Sequence, residues 1–193
     1  MVWVLMAGCR ARRTDLLSLP AQAPDARVAY GADPFQFGEL RLPPGGGPHP
    51  VAVVIHGGFW RAAYSLDHIG HLCEALRAEG VATWSLEYRR IGNSGGGWPG
   101  TLEDVAAGVE YLREMGPKHR LDLGRVVVVG HSAGGQLALW VAGRGGVQGV
   151  VSLAGVADLR RAWDLKAKRA RKFSRGAHRP RRLCLVKNCR MVA

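Results

Sequence analysis

The sequence predicts an α/β fold: a mostly parallel sheet with helices on both faces. Three observations predict it. Short strand-like segments recur along the chain, at 51–55 (VAVVI), 81–88 (VATWSLEY), 125–130 (RVVVVG) and 147–155 (VQGVVSLAG), the first a continuous apolar run as in a strand buried on both faces. Between them stand segments whose apolar residues repeat at helical spacing. Finally, two glycine-rich motifs, at His56 and at Ser132, each begin where such a run ends. Open parallel sheets bind ligands beyond the carboxyl ends of their strands.

With 193 residues, 47% of them hydrophobic, the chain suffices for one domain with a substantial core. Residues 1–34 read as an N-terminal extension, partly disordered. Its opening MVWVLMAGC is apolar and ends faintly like a lipoprotein cleavage site, but no Lys or Arg precedes the run. A cytoplasmic protein is the default expectation, with secretion or a lipid anchor as the minority reading. No stretch approaches the roughly 18–20 apolar residues of a membrane span.

FQFGELRLP (35–43) alternates apolar and polar residues and reads as an antiparallel edge strand. PPGGGPHP is a loop. The strand at 51–55 follows, then a helix in which Ile69, Leu72, Cys73 and Leu76 form one stripe. Ser65 is placed to cap that helix and Gly80 to end it. Cys73, in the stripe, reads as a small buried hydrophobe. The next strand (81–88) leads into a Gly-rich connection, RRIGNSGGGWPG. A second helix covers TLEDVAAGVEYLREMG, with Thr101 as its cap and the acids at 103 and 104 in its dipole-favoured first turn. The strand at 125–130, the helix SAGGQLALWVAG and the strand at 147–155 complete the pattern.

Charge is distributed unevenly. Residues 1–159 hold 14 Lys+Arg and 14 Asp+Glu, whereas 160–193 hold 13 Lys+Arg and one acid, Asp164. The whole net charge of +12 therefore lies in the last segment. The core is expected to span 35–165, and 166–193 to be a disordered basic tail. Cys184 and Cys189 fit no structural-zinc spacing, and no metal site is expected.

Gly130-His131-Ser132-Ala133-Gly134 fits G-x-S-x-G between a strand and a helix, the context that displays a serine nucleophile on a strained turn. Gly130 and Gly134 are expected to be structural, letting the turn close tightly. His131, adjacent in that turn, cannot serve as the base and is expected to pack beside it. His56-Gly57-Gly58-Phe59-Trp60 follows the strand at 51–55. Its glycines would let backbone N–H groups approach a substrate. Gly57 is expected to be structural, and His56 to orient the loop.

HGGFW, EYRRIGNSGGGWPGTLEDV and GHSAGGQLALW together resemble the α/β-hydrolase superfamily, in its esterase/lipase and kynurenine-formamidase-like branch. That branch is related to prolyl-oligopeptidase-type catalytic domains, and the resemblance covers roughly residues 35–165. It implies an α/β-hydrolase fold and hydrolysis of a carboxylic ester or small amide through an acyl-serine intermediate, with no cofactor. By resemblance, Ser132 is the nucleophile and Gly58, Phe59 and Ala133 form the oxyanion hole. Trp60, Tyr88, Arg89 and Trp98 are expected near the substrate pocket, simple packing being the equal alternative for each Trp.

The family orders its triad Ser, acid, His. After Ser132 the candidates are Asp158, for which a cap or loop role is the stronger reading, and His178, in a segment with no regular pattern. The text turns Arg- and Lys-rich after Leu165, as a truncated or frame-shifted gene would give. Two alternatives stay open: an inactive hydrolase fragment lacking its acid and histidine, and a protein that associates with nucleic acid non-specifically through 160–193. Oligomeric state is not legible.

Overall fold

The computed structural model describes residues 21–164. Six strands form one sheet in the order β1-β2-β4-β3-β5-β6. They are β1 (Ala26–Ala29), β2 (Phe37–Arg41), β3 (His49–Ile55), β4 (Ala82–Leu86), β5 (Leu121–His131) and β6 (Gly149–Leu153). β1 and β2 run antiparallel to their neighbours, and β4, β3, β5 and β6 are parallel. Five helices are described: α1 (Gly70–Ala78), α2 (Gly100–Glu110), α3 (Leu112–Lys118), α4 (Ala133–Ala142) and α5 (Leu159–Asp164).

The period of two along the strands divides the core. Val51, Val53 and Ile55 point into the larger core with Trp84, Leu86, Val105, Met115 and Leu137, under α2, α3 and α4. Ala52 and Val54 point the other way, joining Leu66, Ile69 and Cys73 beneath α1. The Cys73 thiol is buried, as its place in the stripe predicts, and burial pushes its pKa up.

Three expectations require correction. The strand around 35–43 is not the sheet edge. β1 pairs along its outer side, with Ala26 opposite Leu40 and Ala29 opposite Phe37. A strand therefore lies inside the segment read as an extension. The helix over 101–116 is two, joined at Tyr111, whose carbonyl accepts from both Glu114 N (3.0 Å) and Met115 N (3.1 Å). Nor does Thr101 cap this helix, which starts at Gly100. Its hydroxyl donates to the Arg89 carbonyl (2.5 Å) and accepts from Gly97 N (3.0 Å), tying the glycine-rich loop down.

The earlier helix follows its signals more closely. Ser65 caps a 3-10 turn, Leu66–Ile69, that leads into α1. Gly80 (φ 82°) ends it, donating to the Arg77 carbonyl while Val81 donates to that of Leu76, a Schellman closure. Leu153, Ile55 and Leu86 bring β6, β3 and β4 to the same sheet edge as the end of β5.

Candidate active site

Ser132 occupies the turn between β5 and α4 with φ 55° and ψ −116°, a conformation costly for any residue with a Cβ. Neighbouring bonds hold it there. Its N–H donates to the Leu153 carbonyl at the end of β6 (2.8 Å), and its carbonyl accepts from Gly135 N (3.0 Å) and Gln136 N (3.3 Å). The turn leaves no room for side chains at its flanks. A Cβ on Gly130 would run into the Gly134 carbonyl, and one on Gly134 would lie 2.5 Å from the His56 carbonyl oxygen. The elbow is thus packed directly on the end of β3. Ala133 is buried and opens α4, where first-turn N–H groups have no intrahelical acceptor.

The loop after β3 lies against this elbow. A Cβ on Gly57 would sit 2.7 Å from the His131 carbonyl oxygen and 3.1 Å from Ser132 Cβ. Gly58, Phe59 and Trp60 all have positive φ (105°, 57° and 55°). This strained arch is tied to the loop after β4: Ala62 N donates to the Ile91 carbonyl (3.0 Å), and Ile91 N to that of Trp60 (2.8 Å). Trp60 Nε1 donates to Gln136 Oε1 (3.2 Å), linking the arch to α4.

Behind the arch His56 is fully buried. Its Nε2 lies 3.0 Å from Glu87 Oε1, its Nδ1 lies 2.8 Å from the Gly57 carbonyl oxygen, and its ring stacks on Tyr88 at 4.3 Å. Glu87, at the end of β4, also accepts from Leu66 N (3.1 Å), Tyr88 N (3.1 Å) and Arg90 Nη1 (3.0 Å). His68 stands edge-on to His56 at 5.8 Å, with His131 at 6.5 Å. Burial first, and the His56 ring second, push the pKa of His68 below the usual histidine range. His131 itself is exposed beside the turn.

A second carboxylate fixes the glycine-rich loop. Asp104, buried in α2, accepts from Arg89 N (2.9 Å), Nε (2.8 Å) and Nη2 (2.6 Å), and from Gln36 Nε2 (2.7 Å). The hydrogen bonds that Arg89 donates to Asp104 raise its pKa further still.

Two of the four expected pocket residues are fully buried. Tyr88 is 0% exposed and donates its hydroxyl to the His56 carbonyl (2.7 Å); burial, foremost, raises its pKa. Trp60 is 1% exposed. Tyr88 thus supports the arch from behind, and Trp60, itself part of the arch, turns its indole onto Gln136. Arg89 is committed to Asp104, and Trp98 is half-buried against the larger core. The exposed apolar side chains here are Phe59 (39%), on the arch, and Tyr64 (44%) and Leu153 (41%). Asp158 accepts from Arg161 N (2.9 Å), the cap role its position suggests. His178 and the basic segment from 166 lie outside the described residues. Among the described residues nothing hydrogen-bonds Ser132 Oγ, and no group of three or more His, Cys, Asp or Glu could hold a metal ion. None of the described helices is long and apolar enough to cross a membrane.

Glu87, Gln136, Tyr64 and Leu153 had no functional role in the sequence reading, and Asp104 was read only as a first-turn acid of a helix.

A family profile described as BD-FAE matches residues 39–178, thirteen residues past Leu165, where the resemblance read from the sequence ends. Neutral cholesterol ester hydrolase 1 of Rattus norvegicus is 37% identical over 90 residues, 45% of this chain and 22% of that protein. Esterase LipI of Mycobacterium tuberculosis is 32% identical over 96 residues, 49% of this chain and 29% of that protein. Among solved structures, an inhibited esterase B from Lactobacillus rhamnosis superposes with a TM-score of 0.65 at 27% identity, covering 81% of this chain and 60% of that one. The matched stretch is thus under a third of each of these two curated relatives and about three-fifths of that solved structure.

Proposed function

The chain belongs to the BD-FAE family, a hydrolase family of the α/β-hydrolase type, and from that premise we propose that it cleaves a carboxylic ester through an acyl-serine on Ser132. One observation carries this reading. A serine at φ 55° stands at a strand's carboxyl end, with a positive-φ glycine arch packed against it. Strain of that kind persists only where the surroundings over-determine it, and it concentrates at working sites.

In the proposed reaction Ser132 Oγ forms a bond to the ester carbonyl carbon, and the carbonyl oxygen becomes an oxyanion. N–H groups of Ala133 and of the arch at Gly58 and Phe59 receive that charge, each worth about 3 kcal/mol of transition-state stabilisation. The carbonyl re-forms, the alcohol C–O bond breaks, and the serine proton leaves with the alcohol. Water then repeats the sequence on the acyl-serine, giving the acid and free Ser132. In this reading the proton-accepting histidine and its acid come from outside residues 21–164. Phe59, Tyr64 and Leu153 offer the ester an apolar surface. Relatives whose names say esterase favour an ester over an amide substrate.

A second reading is an inactive hydrolase fragment: among the described residues none hydrogen-bonds Ser132 Oγ. Hydrolysis of p-nitrophenyl acetate by the full chain separates the two. The first predicts turnover abolished in Ser132→Ala at unchanged melting temperature; equal rates in both proteins would refute it.

A further inference from the structure

We infer that the apolar run at residues 2–6 (VWVLM) docks into an apolar trough over β5 and β6, on the face of the sheet that carries α1. Leu153 brings the trough to the elbow, so the docked run borders the ester site. That consequence alone rests on the acyl-serine reading.

Among the described residues the two faces of the sheet are covered unequally. On one, α2, α3 and α4 lie over the larger core. On the other, α1 packs on β4 and β2, and Ile69 and Cys73 reach Ala52 and Val54 of β3. No described helix stands over β5 and β6 there. Val127 and Val151 are left half-buried, and Leu153 is exposed. Side chains two residues apart share a face, and Val129 is paired with Val151, so these four form one apolar floor. At about 3.6 residues per turn, Leu72 and Leu76 fall on the flank of α1 away from Gly70 and Glu74. Both are half-buried in the same cluster as Val127 and Val151, and they wall the floor on the β3 side. Floor and wall carry no charged side chain. At the elbow end Leu153 stands opposite His131 in the register, and its carbonyl accepts from Ser132 N (2.8 Å).

Contiguous apolar surface of this kind is costly in water and marks a place where something binds. Attachment and length select the occupant. The described chain begins on this same face: an added Cβ on Gly70 would meet that of Ala21, and Gln22 N donates to Glu74. Residues 1–9 carry no charge, and 2–6 are apolar without a break, so the run needs burial as the trough does. Fourteen residues, 7–20, connect Met6 to Ala21 and reach about 46 Å when extended, against a helix about 10 Å across. A tether of that length gives an effective concentration of roughly millimolar, which a second copy of the chain would have to match in solution. Within residues 165–193 the longest apolar run is LCLV at 183–186, set between Arg182 and Lys187. That segment also departs from α5, whose Leu159 and Ala162 pack in the larger core on the opposite face.

Photo-crosslinking in the full chain tests the docking. p-Benzoylphenylalanine replaces Trp3 in one protein and Met6 in another, so that neither side chain alone decides the result. Each is mixed with an equal amount of isotope-labelled chain before illumination. The expected adduct joins position 3 or 6 to the peptides carrying Leu76, Val127 or Val151 of the same chain, and it vanishes on heat unfolding. Val151→Glu puts a charge on the floor and is expected to cut the yield about tenfold while the chain still melts cooperatively. Leu72→Glu, on the wall, serves if Val151→Glu does not fold. Adducts between labelled and unlabelled chains would assign the trough to a second copy and overturn the inference. So would adducts confined to the face under α2, α3 and α4, no adduct beyond that of the heat-unfolded chain, or an unchanged yield in the folded Glu variant. None of these readouts needs Ser132 to react, so a failed acyl-serine reading leaves the docking result standing.

Discussion

At Ser132 the backbone conformation and its two flanking glycines are one device. The φ of 55° turns the serine outward only because Gly130 and Gly134 let the chain fold back on the end of β3. Gly130→Ala should therefore cost about 3 kcal/mol, measured by urea unfolding, because the clash is with backbone that cannot move aside; a loss within 0.5 kcal/mol would contradict the packing described. His68 makes a different prediction. Its pKa is lower folded than unfolded, so between those values the unfolded chain binds more protons. The contribution is complete above the unfolded value near 6.5 and is lost as pH falls from there through the folded value. His68→Gln should flatten the decline of unfolding free energy between about pH 7 and 5. Equal slopes in the two proteins would show that His68 is not the source. These residues also mark what a sequence reveals. Gly57, Gly58 and Ser132 were legible because their constraint is local. Glu87 and Asp104 were not, since their partners lie 31 and 15 residues away and only the sheet brings them together.

Elements were legible in proportion to their burial. β3 and the 126–130 part of β5 are apolar on both sides, and β4 is buried throughout although Thr83 and Ser85 line one face. β1 has four residues alternating between half-buried and exposed, ARVA, and only pairing with β2 makes it a strand. Hydrogen exchange should rank them the same way, with amides of β3 and β5 slowest and those of β1 fastest; protected β1 amides would contradict this ranking. Asp104 shows how a helix residue can serve a loop. The sequence puts it in a first turn, for a dipole role, but α2 begins earlier, at Gly100, and its carboxylate gathers Arg89 and Gln36. Asp104→Ala leaves a guanidinium and an amide without their acceptor and should cost about 3 kcal/mol in unfolding free energy. A wild-type melting curve would mean the clamp contributes nothing.

For the whole molecule, four strand ends converge: β3 supplies the arch, β4 the carboxylate behind it, β5 the serine and β6 the carbonyl that holds the serine N–H. Alternating strands and helices predicted this convergence, because a parallel sheet puts every strand-to-helix connection on one edge. Where the substrate rests was less legible: Tyr88 and Trp60 are expected as pocket walls, with packing the equal alternative for Trp60, and both are fully buried, Tyr88 against His56 and Trp60 against Gln136. The central claim is that this edge makes Ser132 a nucleophile. Mass spectrometry of the full chain after fluorophosphonate treatment, with digestion to locate the adduct, tests it most directly. The account predicts one stoichiometric adduct on the peptide carrying Ser132, absent in Ser132→Ala and in heat-unfolded protein. An unmodified Ser132 peptide from folded protein, or an adduct that survives Ser132→Ala, would contradict it.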